Sequence, residues 1–176
     1  MKRINTILVS FLIVATLNAE SLQSVYNAAG PNMGYDKYLI LDEATVYTGG
    51  LGLFEGDIFV EGNGAQIDLE SGGGIWIFAD YQTPASLDIH RCSIKNGAYY
   101  ALNYSGTATG EIINCNIINS AMGIQLADSV TVDIRNCNLI DNETYGIAVY
   151  TTNPVIHITY CNAWNNGENY MENCPG

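Results

Sequence analysis

Positive charge is nearly missing from this sequence. Six Lys and Arg stand against 18 Asp and Glu in 176 residues, a formal net charge of −12. Two of the six bases, Lys2 and Arg3, lie at the extreme N-terminus. Such a chain repels nucleic-acid phosphates, which excludes nucleic acid as a partner. It also repels anionic polysaccharides and anionic lipid surfaces unless a divalent cation bridges the two. Charged residues of either sign make up only 14%, against about 25% in ordinary domains. Leu-rich helical periodicity is absent, which excludes a coiled coil. The composition equally excludes a collagen-like chain and a disordered acidic tail. The length suits one domain.

Residues 1–19 read as a secretory signal. Lys2 and Arg3 form a positive start, Ile7 to Leu17 is an apolar run broken only by Ser10 and Thr16, and Ala19 is the small residue before Glu20. The run is about half of what a bilayer span needs, and no second apolar stretch of spanning length follows. The mature chain is expected to begin near Glu20 and to be exported.

Repetition is the strongest signal. Cys92, Cys115, Cys137 and Cys161 lie 23, 22 and 24 residues apart, each inside the same local sentence. The copies are Leu87-Asp-Ile89-His-Arg-Cys92-Ser-Ile94, Gly110-Glu-Ile112-Ile-Asn-Cys115-Asn-Ile117, Val132-Asp-Ile134-Arg-Asn-Cys137-Asn-Leu139 and Ile156-His-Ile158-Thr-Tyr-Cys161-Asn-Ala163. A further alternation follows the first three, at Ala101 to Tyr104, Gly123 to Leu126 and Gly146 to Val149. Apolar residues at every second position mark the buried face of a strand. Two or three such strands per period, parted by Asn and Gly turns, cannot close a core alone but form a continuous one when stacked. A 22–24-residue period without helical stretches fits one coil of a parallel β-helix, and the leucine-rich-repeat consensus is not met.

Earlier coils show the same alternation at Tyr38 to Leu41, Thr45 to Tyr47, Ile58 to Val60, Ile67 to Leu69 and Ile75 to Ile77. The stretch Ile58-Phe-Val-Glu-Gly-Asn-Gly-Ala-Gln-Ile67-Asp68 resembles the early coils of right-handed β-helix proteins of the pectin-lyase-like superfamily. The resemblance covers Tyr38 to Asn166 and implies an all-β, right-handed parallel β-helix. Five to six coils of about 4.8 Å each would make a rod about 25–30 Å long. The expected organisation is a signal at 1–19, an N-terminal cap at 20–37 with weak helical character from Ser21, a β-helix at 38–166 and a tail at 167–176. The tail offers no amphipathic cap, so the chain reads as the N-terminal part of a longer exported protein or as a truncated copy.

The repeat predicts inward ladders of Leu87, Val132 and Ile156, of Ile89, Ile112, Ile134 and Ile158, and of Ile94, Ile117 and Leu139. The four repeat cysteines form one inward row. Thiols aligned along a rod do not converge on a tetrahedral metal, so they read as buried free cysteines. For Cys174, pairing with Cys161 and a free thiol both remain open. Asn96, Asn119, Asn142 and Asn165 read as a structural amide ladder, as do the Asn residues beside the cysteines. Asn103-Tyr-Ser105 and Asn142-Glu-Thr144 are formal glycosylation sequons.

Chemistry belongs on the outward rows. Asp88, Glu111 and Asp133 recur at one outward position, with His157 next. Stacked carboxylates need a cation or a raised pKa, and calcium is the natural oxygen-seeking ion. In pectate lyases of the resembling superfamily, acids on a strand face hold calcium and an Arg removes the proton. That resemblance nominates a calcium site at Asp88, Glu111 and Asp133, with Arg91 and Arg135 beside it as the catalytic set. The paired-Asp, Gly-His-Gly and Arg-x-Lys motifs of the polygalacturonase type are absent, as is the Asp-Pro-His-Asp of the epimerase type. Trp76, Tyr99, Tyr100, Tyr104, Tyr145 and Tyr150 lie on or beside the second strands of several coils, where rings can stack on sugars.

The function expected is a secreted scaffold, non-catalytic, that contacts extracellular polysaccharide or cell-surface glycan outside the cell or in a periplasm. No cofactor other than calcium is expected. The first alternative is a calcium-dependent polysaccharide lyase or a related carbohydrate-active enzyme. The second is an adhesin-like surface protein that binds protein partners, or itself, through open strand edges.

Overall fold

The computed structural model describes residues 18–150, 155–171 and 174; the expected signal sequence lies almost wholly outside them. The chain opens with β1 (Asn18–Ser21) and a short helix, α1 (Leu22–Ala28). Six coils of three strands follow. They are β2 (Lys37–Ile40), β3 (Thr45–Thr48) and β4 (Leu51–Leu53); then β5 (Gly56–Glu61), β6 (Gln66–Asp68) and β7 (Ile75–Ala79). The third and fourth are β8 (Ala85–His90), β9 (Ser93–Lys95) and β10 (Leu102–Gly106), then β11 (Thr109–Ile113), β12 (Asn116–Ile118) and β13 (Met122–Leu126). The last two are β14 (Thr131–Arg135), β15 (Asn138–Ile140) and β16 (Tyr145–Val149), then β17 (Val155–Thr159), β18 (Asn162–Trp164) and β19 (Glu168–Tyr170). β19 falls in the segment set aside as a tail.

Every third strand pairs in parallel with its equivalent one coil away, which gives three sheets along one rod. Sheet I holds β2, β5, β8, β11, β14 and β17. Sheet II holds β1, β3, β6, β9, β12, β15 and β18, and sheet III holds β4, β7, β10, β13, β16 and β19. The expected cleavage point between Ala19 and Glu20 falls inside β1, which pairs with Thr45–Thr48 of β3. α1 closes this end, with Leu22 fully buried. Lys37 Nζ donates to the carbonyls of Tyr26 and Ala29 at the helix C-terminus and sits over the Tyr26 ring. No helix among the described residues is long and apolar enough to cross a membrane.

The inward rows stack as the repeat predicts. Ile89, Ile112, Ile134 and Ile158 are in register on sheet I, and Ile94, Ile117 and Leu139 on sheet II. Each buried Ile or Leu contributes about 1.5–3 kcal/mol. The row Leu87, Val132, Ile156 has Gly110 between its first two members. Tyr104, fully buried on sheet III, fills that gap. A Cβ at Gly110 would lie 2.9 Å from Tyr104 Cε1, and the Tyr104 hydroxyl donates to the Leu87 carbonyl at 2.8 Å. Tyr104 is therefore a core residue and not a sugar-stacking ring, a correction to the reading above. The cause is the missing side chain at Gly110, which leaves a hole only a large residue from the facing sheet can fill.

Coil corners run through left-handed backbone. Asn63, Arg91, Asn114, Asn136 and Tyr160 hold φ between 52° and 56° at the corner that follows sheet I. Asn96, Asn119, Asp141 and Asn165 hold φ between 50° and 64° after sheet II. Asn tolerates this region better than other residues with a Cβ. The amide ladder differs from expectation at one rung: Asp141, not Asn142, stands in register with Asn96, Asn119 and Asn165. Asn142 lies one residue further, buried, where its Oδ1 accepts the Ser120 amide and its Nδ2 donates to Asn166. Both sequon asparagines, Asn103 and Asn142, are buried, so neither can carry a glycan in the folded chain.

All five cysteines are free, with Cys92, Cys115 and Cys137 buried in one row. Burial, seconded by Glu61, pushes the Cys92 thiol up to about 12. Hydrogen bonding to Cys115, then burial, does the same for Cys137. At neutral pH these thiols are protonated fillers, not nucleophiles.

Candidate functional site

Two outward faces carry the candidate groups. On sheet I, strand pairing puts Tyr38, Phe59, Asp88, Glu111, Asp133 and His157 in one outward row. The parallel row two residues on holds Ile40, Glu61, His90, Ile113, Arg135 and Thr159. Asp88, Glu111 and Asp133 thus stack as the repeat implies, and neighbouring protein groups offset part of their charge. Tyr35 donates its hydroxyl to Asp88 Oδ2 at 2.6 Å, and the Glu111 amide donates to Asp88 Oδ1 at 2.8 Å. Arg135 reaches both Glu111 Oε1 and Asp133 Oδ1 at 3.2 Å. His90 Nε2 lies 3.8 Å from Glu111 Oε2. The bond to Asp88, then burial and the charges of Asp88 and Glu111, hold the Tyr35 proton well above the usual phenol range.

Arg91 stands apart from this cluster. It is in the left-handed corner and pairs with Glu61. Of the two nominated arginines, the fold brings only Arg135 to the acids. His90, two residues from Asp88 on the same strand face, joins them; strand alternation alone would have found it. Tyr35 comes from the segment before the first coil, and nothing in the repeat points to it. Among the described residues, no three His, Cys, Asp or Glu side chains converge to hold a metal ion. A shallow cleft of about 380 Å³ runs over the row, lined by Asp88, Glu111, Asp133 and His157 with Ser86 and Thr131 at its edge. Its carboxylates can accept hydroxyl protons. The buried His90 Nε2 has no hydrogen-bond partner, and Arg135 Nε meets Asp133 Oδ1 as an ion pair without hydrogen-bond geometry.

Sheet III presents the opposite chemistry. Its first five strands, β4, β7, β10, β13 and β16, contain no Asp, Glu, Lys, Arg or His. One outward row runs Gly52, Trp76, Asn103, Gln125 and Ala148. Trp76 is 39% exposed and is fixed in place by its Nε1 donating to Ser105 Oγ at 2.8 Å. Phe54 meets it edge-on at 5.2 Å, and Phe78 tilts toward it at 6.3 Å. Both phenylalanines are exposed. Phe54 folds back over Gly52, where a Cβ would lie 2.8 Å from its ring. Beside Trp76, Asn103 is only 8% exposed and its Oδ1 has no partner. Tyr150, half exposed, turns its hydroxyl toward the Met122 sulfur.

The six nominated rings therefore divide. Trp76 lies on the sheet III face, with Tyr150 directly after β16. Tyr145 is partly buried at the start of β16, beside Met122. Tyr99 and Tyr100 sit in the corner between sheets II and III, where the Tyr100 ring lies over Gly74. Phe54 and Phe78 went unnominated, although the alternation Ile75-Trp-Ile-Phe78 puts Phe78 on the Trp76 face.

The comparisons with known proteins are consistent with this architecture. A family model described as a right handed beta helix region matches residues 40–173. No curated protein and no solved structure matches the chain.

Proposed function

Because the chain belongs to the right-handed beta-helix family, we propose that it is an exported scaffold that contacts extracellular polysaccharide through sheet III without cleaving it. One observation carries the reading. A pre-oriented, part-exposed Trp76 is flanked by exposed Phe54 and Phe78 on a face whose first five strands carry no charge. Rings held in place supply apolar area for a sugar face. The test is binding of the full chain to insoluble polysaccharides, measured by depletion from solution. Trp76→Ala and Phe78→Ala, each with an unchanged circular dichroism spectrum, are expected to weaken binding at least tenfold, about 1.4 kcal/mol. Unchanged binding in both variants overturns the reading.

A second reading places an enzyme on sheet I. It is favoured by the gathering of His90 and Arg135 around Glu111, with Asp133 beside them. Paired carboxylates can act as acid and base toward a bound sugar. Calcium at Asp88, Glu111 and Asp133 would have to displace Arg135 and Tyr35 from those acids. New reducing ends or unsaturated products from a polysaccharide panel, abolished by Glu111→Gln, would establish this reading. Loss of product on adding a chelator would establish the calcium.

A further inference from the structure

We infer that Cys161 and Cys174 form a thiol-oxidation site: a small disulfide-class oxidant joins them in one bond that fastens the sixth coil. The inference goes beyond the polysaccharide reading and does not rest on it. Access supplies the first argument. Cys92, Cys115 and Cys137 are buried, whereas Cys161 and Cys174 are only partly buried. Placement supplies the second. Tyr170 of β19 stands in register with Ile147, and the Met171 amide donates to the Ile147 carbonyl. The Cys174 amide then donates to the Met171 carbonyl at 2.8 Å, which turns the chain back. Cys161, Ala163, Tyr170 and Cys174 all pack against the core. Burial, then the neighbouring thiols of Cys161 and Cys174, holds the Tyr170 proton above the usual phenol range, in keeping with both sulfurs lying near one ring.

Cys137 is the competing partner, because it stacks against Cys161 and its carbonyl accepts the Asn162 amide at 2.9 Å. Paired strands hold equivalent side chains about 4.8 Å apart, and a disulfide needs its Cβ atoms at about 3.8 Å. Closing Cys137 on Cys161 would have to pull two paired strands together. Cys174 follows a turn and belongs to no strand, so its approach is not set by register. The chemistry is thiol–disulfide exchange. Burial, then Cys161, pushes the Cys174 thiol up to about 11, and hydrogen bonding to Cys137, then burial, pushes Cys161 higher still. Cys174 therefore ionises first. Its thiolate attacks one sulfur of glutathione disulfide, whose S–S bond breaks to release one glutathione thiolate. The Cys161 thiolate attacks the Cys174 sulfur, the mixed bond breaks and the second glutathione leaves. Two protein thiols give up two electrons and two protons, and glutathione disulfide takes both. The ring so closed contains β18 and β19. The sixth coil is the one with a core to secure: Ile158, Cys161 and Ala163 are only partly buried, where Ile134, Cys137 and Leu139 one coil earlier are at most 1% exposed.

The experiment is incubation of the folded full chain with glutathione disulfide, alkylation of the remaining thiols after denaturation, and disulfide mapping by mass spectrometry. The expected result is a Cys161–Cys174 bridge as the main product, with Cys92, Cys115 and Cys137 alkylated. Its rate should rise roughly tenfold per pH unit between about pH 7 and pH 9, in step with the thiolate fraction. Amide hydrogen exchange at β18 and β19 should be roughly tenfold slower in the bridged chain than in Cys174→Ser treated the same way, while β8 and β11 stay unchanged. A Cys137–Cys161 bridge, a Cys174 bridge between two chains, or Cys174 held only as its glutathione adduct overturns the pairing. So does a folded chain that stays fully reduced. A bridge that leaves exchange at β18 and β19 unaltered overturns the fastening.

Discussion

Sheets I and III are made by the same six coils, yet their outward faces share almost no chemistry. Inward, both carry stacked aliphatic rows, because every coil must fill the same cross-section. Outward, each coil adds one side chain per row, and the rows are free to diverge. On sheet I acids accumulate where Arg135, His90 and Tyr35 can reach them. On sheet III no cation is within the strands and no acid appears before Glu168 in β19. A stack of like charges one coil apart is tolerated only where its compensation is built in. The lesson is that the repeat dictates the core, whereas function is written row by row on the surface.

The largest expected effect tests a side chain that ties the two sheets across the core. Tyr104→Ala empties the space over Gly110 and orphans the Leu87 carbonyl from its side-chain donor. It should cost about 3–5 kcal/mol, read as a lower midpoint in urea. A loss below 1 kcal/mol would mean that the two faces are not coupled through the core.

The corner that ends sheet I gives the next effect, and its sign is opposite. Tyr160 is 87% exposed and left-handed, at a rung where equivalent coils use Asn114 and Asn136. Tyr160→Asn should stabilise the rod by about 1 kcal/mol, again by urea unfolding. No gain would show that the sixth coil adds nothing to global stability.

Sheet I's charge cluster is worth less than its crowding suggests. Glu111→Gln should change stability by less than about 1 kcal/mol, because the pairs it breaks are partly exposed. The salt dependence of unfolding should shrink with it, while binding at sheet III stays unchanged. Loss of sheet III binding would break the separation of the faces.

The smallest effect is a pH dependence on sheet II. Burial raises the Asp68 carboxyl, but bonds from Asn96, the Glu70 amide and Lys95 outweigh it and leave the group below its usual range. A lowered folded pKa gives stability that is fully present above the unfolded value and lost as pH falls through the folded one. Asp68→Asn should therefore remove that small increment at neutral pH and flatten the acid limb of the stability–pH curve below about pH 4, where the two proteins converge. An unchanged acid limb would mean that other carboxylates set it.

The coils, their register and the outward acid row were legible because period-2 alternation and the cysteine spacing fix which residue sits above which. Counting four residues on from each Cys would also have found Asp141 as the true rung. What escaped was contact across the rod. Tyr104 looked like an outward ring because nothing local says that Gly110, six residues on, opens a hole beneath it. Arg91 looked like a partner of the acid row because it is near in sequence, but a left-handed corner turns it toward Glu61. Tyr35 reaches Asp88 from 53 positions away, beyond any repeat.

The matched corners carry a consequence for how such a rod changes length. Residues 116–137 make one full circuit, from just after Cys115 to its counterpart Cys137. Excising those 22 residues joins Cys115 to Asn138 and offers β9 a new neighbour, β15, with Ile94 facing Leu139 in place of Ile117. Corner, thiol and aliphatic row all meet an equivalent. Duplicating the same segment would insert a rung of about 5 Å by the same joints. The molecule is thus editable in whole turns: a lineage could lengthen or shorten its surface track by unequal recombination, with each product inheriting a core that already fits.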